Sequence, residues 1–322
     1  MNKFTFALIA VITLHLAVSE DKLCPLYKCM DTKDDKCMNT TIADGLTTIE
    51  VKKCADVTKY CKSEDGKTGN CVAKEKAKGL IAGDACESND QCLSNKCENK
   101  KCSSAPTGGN CTSHYECEKG NFCDTDGTCK AQLSSGGDCK NKDEFSCPND
   151  EGCLDGKCTK YYSLTKGTKS DKAEFCQSSF IYTTTNGTSV CAEKILNSTE
   201  CKNDTHTCDY EIDTAEETKS KIALACVCKL IDSDKKYCPV GTNDEHYKEA
   251  VKIQQDVVAK AAKLHTLKRG KSEDYDLGKK YIVNLAYPVY EGASDCIIDG
   301  VLNGMNYLKI SFFGLMLFGL LF

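Results

Sequence analysis

The chain has no tryptophan, a single arginine (Arg269) and five prolines in 322 residues. It has no C-x₂-C pair, and its histidines are scattered, which disfavours zinc modules. Neither a G-x-S-x-G elbow nor an H-E-x-x-H helix occurs, so two common hydrolase signatures are missing. Gly270-Lys271-Ser272 lacks the upstream glycine of a phosphate-binding loop. No basic stripe stands out and the net charge is −5, which argues against nucleic-acid partners. No apolar run reaches the roughly 20 residues of a membrane-spanning helix.

What the chain has is cysteine. Its 26 cysteines put it near the level, about 8%, at which a secreted disulfide scaffold leads the alternatives. A reducing cytosol would leave these thiols without a role. The fold class expected is therefore small disulfide-rich modules, mostly loops with short β-hairpins, followed by a C-terminal α-helical segment.

Both ends read as addresses. Lys3, the apolar run Phe4–Leu16 and the small residues Ala17 and Ser19 predict a signal peptide over 1–19. The last 13 residues, Ile310 to Phe322, are almost wholly apolar, and no lysine or arginine follows them. Behind a polar spacer, such a tail predicts lipid (GPI) attachment, with a short transmembrane helix over Leu302–Phe322 as the alternative. A spacer of roughly 8–12 residues places the attachment near Asp299. Asn303-Gly304 leaves a shorter spacer and Gly292-Ala293-Ser294 a longer one. Attachment at Asp299 keeps Cys296 and an even cysteine count. Removing both segments takes away Lys3 and Lys309 and no acid. The mature chain is then more acidic, which suits a self-repelling coat.

Between the ends the cysteines divide the chain. Residues 20–80 hold six. Residues 81–160 hold three four-cysteine units: Cys86, Cys92, Cys97 and Cys102; Cys111, Cys117, Cys123 and Cys129; Cys139, Cys147, Cys153 and Cys158. Residues 161–238 hold seven more, and Cys296 in the last segment, 296–322, makes eight. Blocks of 6, 12 and 8 are each even, which predicts bridges closed within each block. Each unit opens with glycine three residues before its first cysteine, and Asp-Gly at 126–127 and 155–156 reads as hairpin turns. A period near 25 residues predicts a stacked array. Units this small need bridges to fold. Four cysteines allow three pairings, and spacing does not choose.

Residues 239–295 lack cysteine. Tyr247, Val251, Val257, Val258, Ala261, Leu264 and Leu267 recur near a helical period, predicting one amphipathic helix over 244–269. Its stripe is expected to pack on the 176–238 region. Tyr281–Tyr287 reads as a strand or short helix. Lys74–Gly79 reads as a linker or short helix. Glycosylation is expected at Asn39, Asn186, Asn197 and Asn203; Asn110 has a cysteine as the middle residue of its sequon. Asp124, Asp126, Asn149 and Asp150 read as turn formers, since no twelve-residue calcium loop is completed.

Gly83 to Cys158, with its G-x-x-C openings and closing Asp155-Gly-Lys-Cys158, resembles the Dickkopf N-terminal type of cysteine-rich module. Adjacent Cys-Cys and C-x₂-C are absent, and no Wnt-pathway role is carried over. The whole layout, together with one arginine against 41 lysines, resembles the GPI-anchored cysteine-rich surface proteins of ciliates. These resemblances imply a non-enzymatic protein on the extracellular face of the plasma membrane, with a coat, adhesion or receptor role. It would need no cofactor, metal or nucleic acid, and its partner would be an extracellular protein or glycan. The alternatives are a tethered or secreted protease inhibitor or Dickkopf-like ligand, docking through a loop such as Glu118–Phe122, and an enzyme within Cys176–Pro288.

Overall fold

The computed structural model describes residues 23–31, 34–56, 58–73, 80, 83–92, 94–118, 120–140, 142, 144–197, 201, 207–215, 219–264 and 272–305. The proposed signal peptide, the apolar tail, Lys74–Gly79, Asn203, His206 and His265 lie outside them.

The first region is a five-stranded sheet built from β1 (Leu26–Cys29), β2 (Lys36–Ala43), β3 (Leu46–Val51), β4 (Lys59–Ser63) and β5 (Thr68–Ala73), in the order β1-β3-β2-β5-β4. Asp44 and Gly45, both at positive φ (49° and 78°), make the two-residue turn between β2 and β3. This is the backbone that Asp-Gly favours in a tight hairpin. β1 pairs in parallel with β3. The Cys37–Cys61 and Cys54–Cys71 bridges fill the interior.

Three small units follow, each with one hairpin: β6 (Cys97–Glu98) with β7 (Lys101–Cys102), β8 (Asn121–Cys123) with β9 (Cys129–Ala131), and β10 (Glu151–Leu154) with β11 (Lys157–Lys160). Their pairing is uniform, first cysteine to third and second to fourth: Cys86–Cys97, Cys92–Cys102, Cys111–Cys123, Cys117–Cys129, Cys139–Cys153 and Cys147–Cys158. Asp155-Gly156 is a two-residue turn joining β10 to β11. Asp126-Gly127 instead sits within a longer loop, closed by the Asp124 N–H donating to the Thr128 carbonyl at 2.9 Å.

A further hairpin, β12 (Ile181–Thr183) with β13 (Ser189–Cys191), leads into a three-stranded sheet, β14 (Glu193–Leu196), β15 (Thr207–Asp213) and β16 (Ser220–Ala225). β17 (Val227–Cys228) and β18 (Lys236–Tyr237) form the last hairpin. Among the described residues, four helices close the fold: α1 (Glu245–Leu264), α2 (Ser272–Leu285), α3 (Tyr287–Tyr290) and α4 (Asp295–Met305). The 239–295 segment thus holds more than one helix, and Tyr281–Tyr287 is helical, not extended. Tyr247 and Val251 of α1 pack on Tyr162 and Val240. The lower part of the expected stripe, from Val257 on, lies outside the described side chains.

The expectation of bridges closed within each block holds for the twelve cysteines of 81–160 and is overturned for the first and third blocks. Cys24 pairs with Cys228 and Cys29 with Cys296, tying the first strand to the third region and to α4. Their separations, 204 and 267 residues, exceed anything local spacing encodes. What brings them together is apolar packing: Val227, Leu230, Val289, Ile297, Ile298 and Leu302 form one core, with Tyr27 of β1 packed against it. Burial pushes the Tyr27 hydroxyl up to about 12.

Candidate interaction surface

Each unit is built the same way. The opening glycine lies at positive φ, 87° at Gly83, 84° at Gly108 and 72° at Gly136, a region other residues rarely adopt. Its N–H donates to the carbonyl of the unit's last cysteine, at 2.8, 2.7 and 3.1 Å to Cys102, Cys129 and Cys158. That cysteine's N–H donates back to the residue after the glycine, Asp84, Gly109 or Gly137. A 3-10 turn precedes the second cysteine: Asn89–Gln91, His114–Glu116 and Glu144–Ser146.

The same pattern continues beyond Cys158. Gly167 has φ 84° and its N–H donates to the Cys191 carbonyl at 2.8 Å. The Cys191 N–H donates to the Thr168 carbonyl at 2.8 Å, and the 3-10 turn Ala173–Phe175 precedes Cys176. Cys176–Cys191 is the second-to-fourth bridge. Ser170 stands where the first cysteine would be, and Ile181, opposite Cys191, where the third would be. The buried Ser170 hydroxyl is satisfied locally, donating to the Lys172 carbonyl at 2.8 Å and accepting the Lys172 N–H at 3.2 Å. Cysteine counting missed this segment. The available signals were Gly167 and the echo of Thr125-Asp-Gly-Thr128 in Thr185-Asn-Gly-Thr188. Both loops close alike, since Asp126 Oδ1 accepts the Thr128 N–H (3.1 Å) and Asn186 Oδ1 the Thr188 N–H (3.0 Å).

Aromatic contacts join the second unit to the third and the third to the segment that follows it. His114 stacks on Phe145 with ring centroids 4.2 Å apart, and its Nδ1 accepts the Cys123 N–H at 3.2 Å. Tyr161 packs on Phe175 at 5.2 Å, and a Cβ at Gly152 would fall 2.8 Å from both of these rings' outer atoms. His246 stacks on Tyr287 at 3.5 Å and faces Asn284 Oδ1 at 3.1 Å from Nδ1. These two histidines are held in packing contacts.

The outer face is polar and largely self-paired. Lys130 Nζ lies 2.7 Å from Asp124 and 2.6 Å from Asp126. The Lys130 ammonium holds the Asp126 carboxyl down at about 2. Lys166 bridges Asp213 and Glu193 at 2.6 and 3.5 Å. Such exposed pairs contribute little stability and are screened by salt. The face they make can contact a partner by hydrogen bonds.

Of the expected sites, the twelve unit cysteines are all bridged, and all 26 cysteines of the chain are paired. The close cysteine triplets, such as Cys86, Cys92 and Cys102, consist of bridged sulfurs, which do not ligate as thiolates. Asn186 is exposed in its loop and accepts its hydrogen bonds at Oδ1. Asn197 is exposed, whereas Asn39 is half-buried on β2 with Nδ2 donating to Glu50 at 3.3 Å. Asp299 lies inside α4, 2.8 Å from Lys279 Nζ and 3.8 Å from Lys53 Nζ. In the Glu118–Phe122 loop, Glu118 and Gly120 are exposed, and Asn121 and Phe122 are buried. Among the described residues, no helix is long and apolar enough to cross a membrane.

No protein-family model matches the chain, and no curated protein or solved structure is significantly similar to it. The thirteen disulfides fit an extracellular or secreted protein.

Proposed function

We propose that the chain is a non-enzymatic surface protein, GPI-anchored on the extracellular face of the plasma membrane, that displays a row of four related disulfide units. The observation that carries this reading is the shared hydrogen-bond frame running from Gly83 to Cys191. A row of rigid frames with exposed polar loops is economical for presenting a surface. The aromatic seams stiffen it, and the disulfides stand in for large apolar cores. The role is coat, adhesion or receptor, with a protein or glycan as partner.

In this reading the lipid is attached beyond Asp299. Gly300 and Leu302 are buried, and Leu302 belongs to the core that docks α4. Attachment at Asp299 would remove both, whereas attachment at Asn303 keeps them.

The test is phospholipase C release from intact cells, followed by mass spectrometry of the released protein. Release of a protein ending at Asn303 with the lipid remnant is expected. Retention of the chain through Phe322 would replace the anchor with a membrane helix. Release ending at Asp299 would restore the earlier attachment residue.

A further inference from the structure

Among the described residues, Cys29 is the only exposed cysteine. Its partner Cys296 is half-buried, in the first turn of the 11-residue helix α4. We propose that Cys29–Cys296 is a thiol-exchange site, opened by a small extracellular thiol or dithiol while the other twelve bridges stay closed.

Exchange needs a sulfur that an attacking thiolate can reach and a second sulfur that leaves readily. Cys29 offers the first, beside the exposed Ser294, whose Oγ lies 3.3 Å from Cys29 Sγ. Cys296 offers the second. The unsatisfied N–H groups of a helix's first turn favour a thiolate there. The negative neighbour Asp295 is itself paired with Lys279 at 2.7 Å. In the first step a thiolate R–S⁻ attacks Cys29 Sγ, the Cys29–Cys296 bond breaks, and Cys296 departs as a thiolate that takes a proton from solvent. Once protonated, its thiol has the Val51 carbonyl oxygen as an acceptor, 3.7 Å away. In the second step another thiolate attacks the R sulfur of the mixed disulfide, giving R–S–S–R and a Cys29 thiolate. Two thiols are oxidised and one protein disulfide is reduced.

The architecture makes this opening local. Without the bridge, β1 is still held by Cys24–Cys228, by its ladder with β3, and by the Tyr27 N–H donating to the Leu230 carbonyl at 2.6 Å. α4 is still held by Ile297, Ile298 and Leu302 in the core and by Asp299 between Lys279 and Lys53. Opening therefore frees the crosslink between the first strand and the last helix without dismantling either.

The experiment incubates the mature protein in millimolar reduced glutathione, alkylates at intervals, and maps modified cysteines by mass spectrometry. Far-UV circular dichroism is recorded on the same samples. Cys29 and Cys296 are expected to label at least about tenfold faster than any other cysteine, with the spectrum unchanged. Earlier labelling at another bridge, or labelling of all cysteines together with loss of the spectrum, overturns the proposal. The double variant Cys29→Ser, Cys296→Ser is expected to lose the fast phase. A fast phase that persists in it overturns the assignment.

Discussion

Tyr162 donates its hydroxyl proton to Oε1 of Gln254 at 2.9 Å, in a site where both side chains are buried. Tyr162 follows the third unit and Gln254 lies on α1, so the bond joins the row of units to the C-terminal helices. Nearby, the buried Tyr247 hydroxyl donates to the Ser179 carbonyl at 3.4 Å. The segment from Gly167 to Cys191 lacks one bridge, and it accepts this hydrogen bond from α1.

Removing half of the Tyr162–Gln254 pair leaves the other half buried and unsatisfied. Tyr162→Phe is expected to destabilise by about 1–3 kcal/mol, since the stranded group bears its desolvation cost. Replacing both, with Tyr162→Phe and Gln254→Leu, is expected to recover much of the loss. Urea unfolding with bridges intact measures both.

Restoring the missing bridge is a second test. Ser170→Cys with Ile181→Cys places cysteines at the positions that Cys86 and Cys97 occupy in the first unit, where the Cα atoms are 6.0 Å apart. The new bridge is expected to form, lowering the intact mass by two hydrogens and stabilising by roughly 2–4 kcal/mol. Two free thiols by alkylation would show that the segment's frame differs from the others.

Lys194 is buried at 1% exposure, its Nζ has no hydrogen-bond partner among the described residues, and it lies 5.0 Å from the Tyr210 ring centroid. Burial pushes the ammonium down from its ordinary value of 10.5 to about 8. Below pH 8 both folded and unfolded chains hold the proton, and the buried charge costs stability in full. Between about 8 and 10.5 the unfolded chain binds more protons, so stability rises with pH there. Lys194→Met is expected to stabilise by about 1–3 kcal/mol at pH 7 and to flatten that rise. Urea midpoints at pH 7 and 9.5 measure it.

Gly300 marks where α4 meets the sheet. A Cβ there would lie 2.7 Å from Val51 Cβ and 3.1 Å from the Lys52 nitrogen, neither of which is a movable side-chain end. Gly300→Ala is expected to cost about 1–3 kcal/mol through overpacking, despite alanine's better helix propensity. Faster hydrogen exchange in α4 would locate the effect. An unchanged midpoint would show that α4 docks elsewhere.

The sequence by itself determined the oxidising compartment, through the number of cysteines. It also determined the three unit frames, through glycines that must adopt positive φ three residues before a cysteine, and a helix beginning near Asp244, through its 3.6-residue period. These are local properties, written within a turn or a hairpin. Only the tertiary structure decided which sulfurs pair, because a bridge needs two Cβ atoms brought close together. For Cys24–Cys228 and Cys29–Cys296 that approach is set by a core drawn from distant parts of the chain. The Gly167–Cys191 segment stayed hidden for a related reason. Its frame is held by backbone hydrogen bonds, which Ser170 and Ile181 sustain without the sulfur that would have announced it.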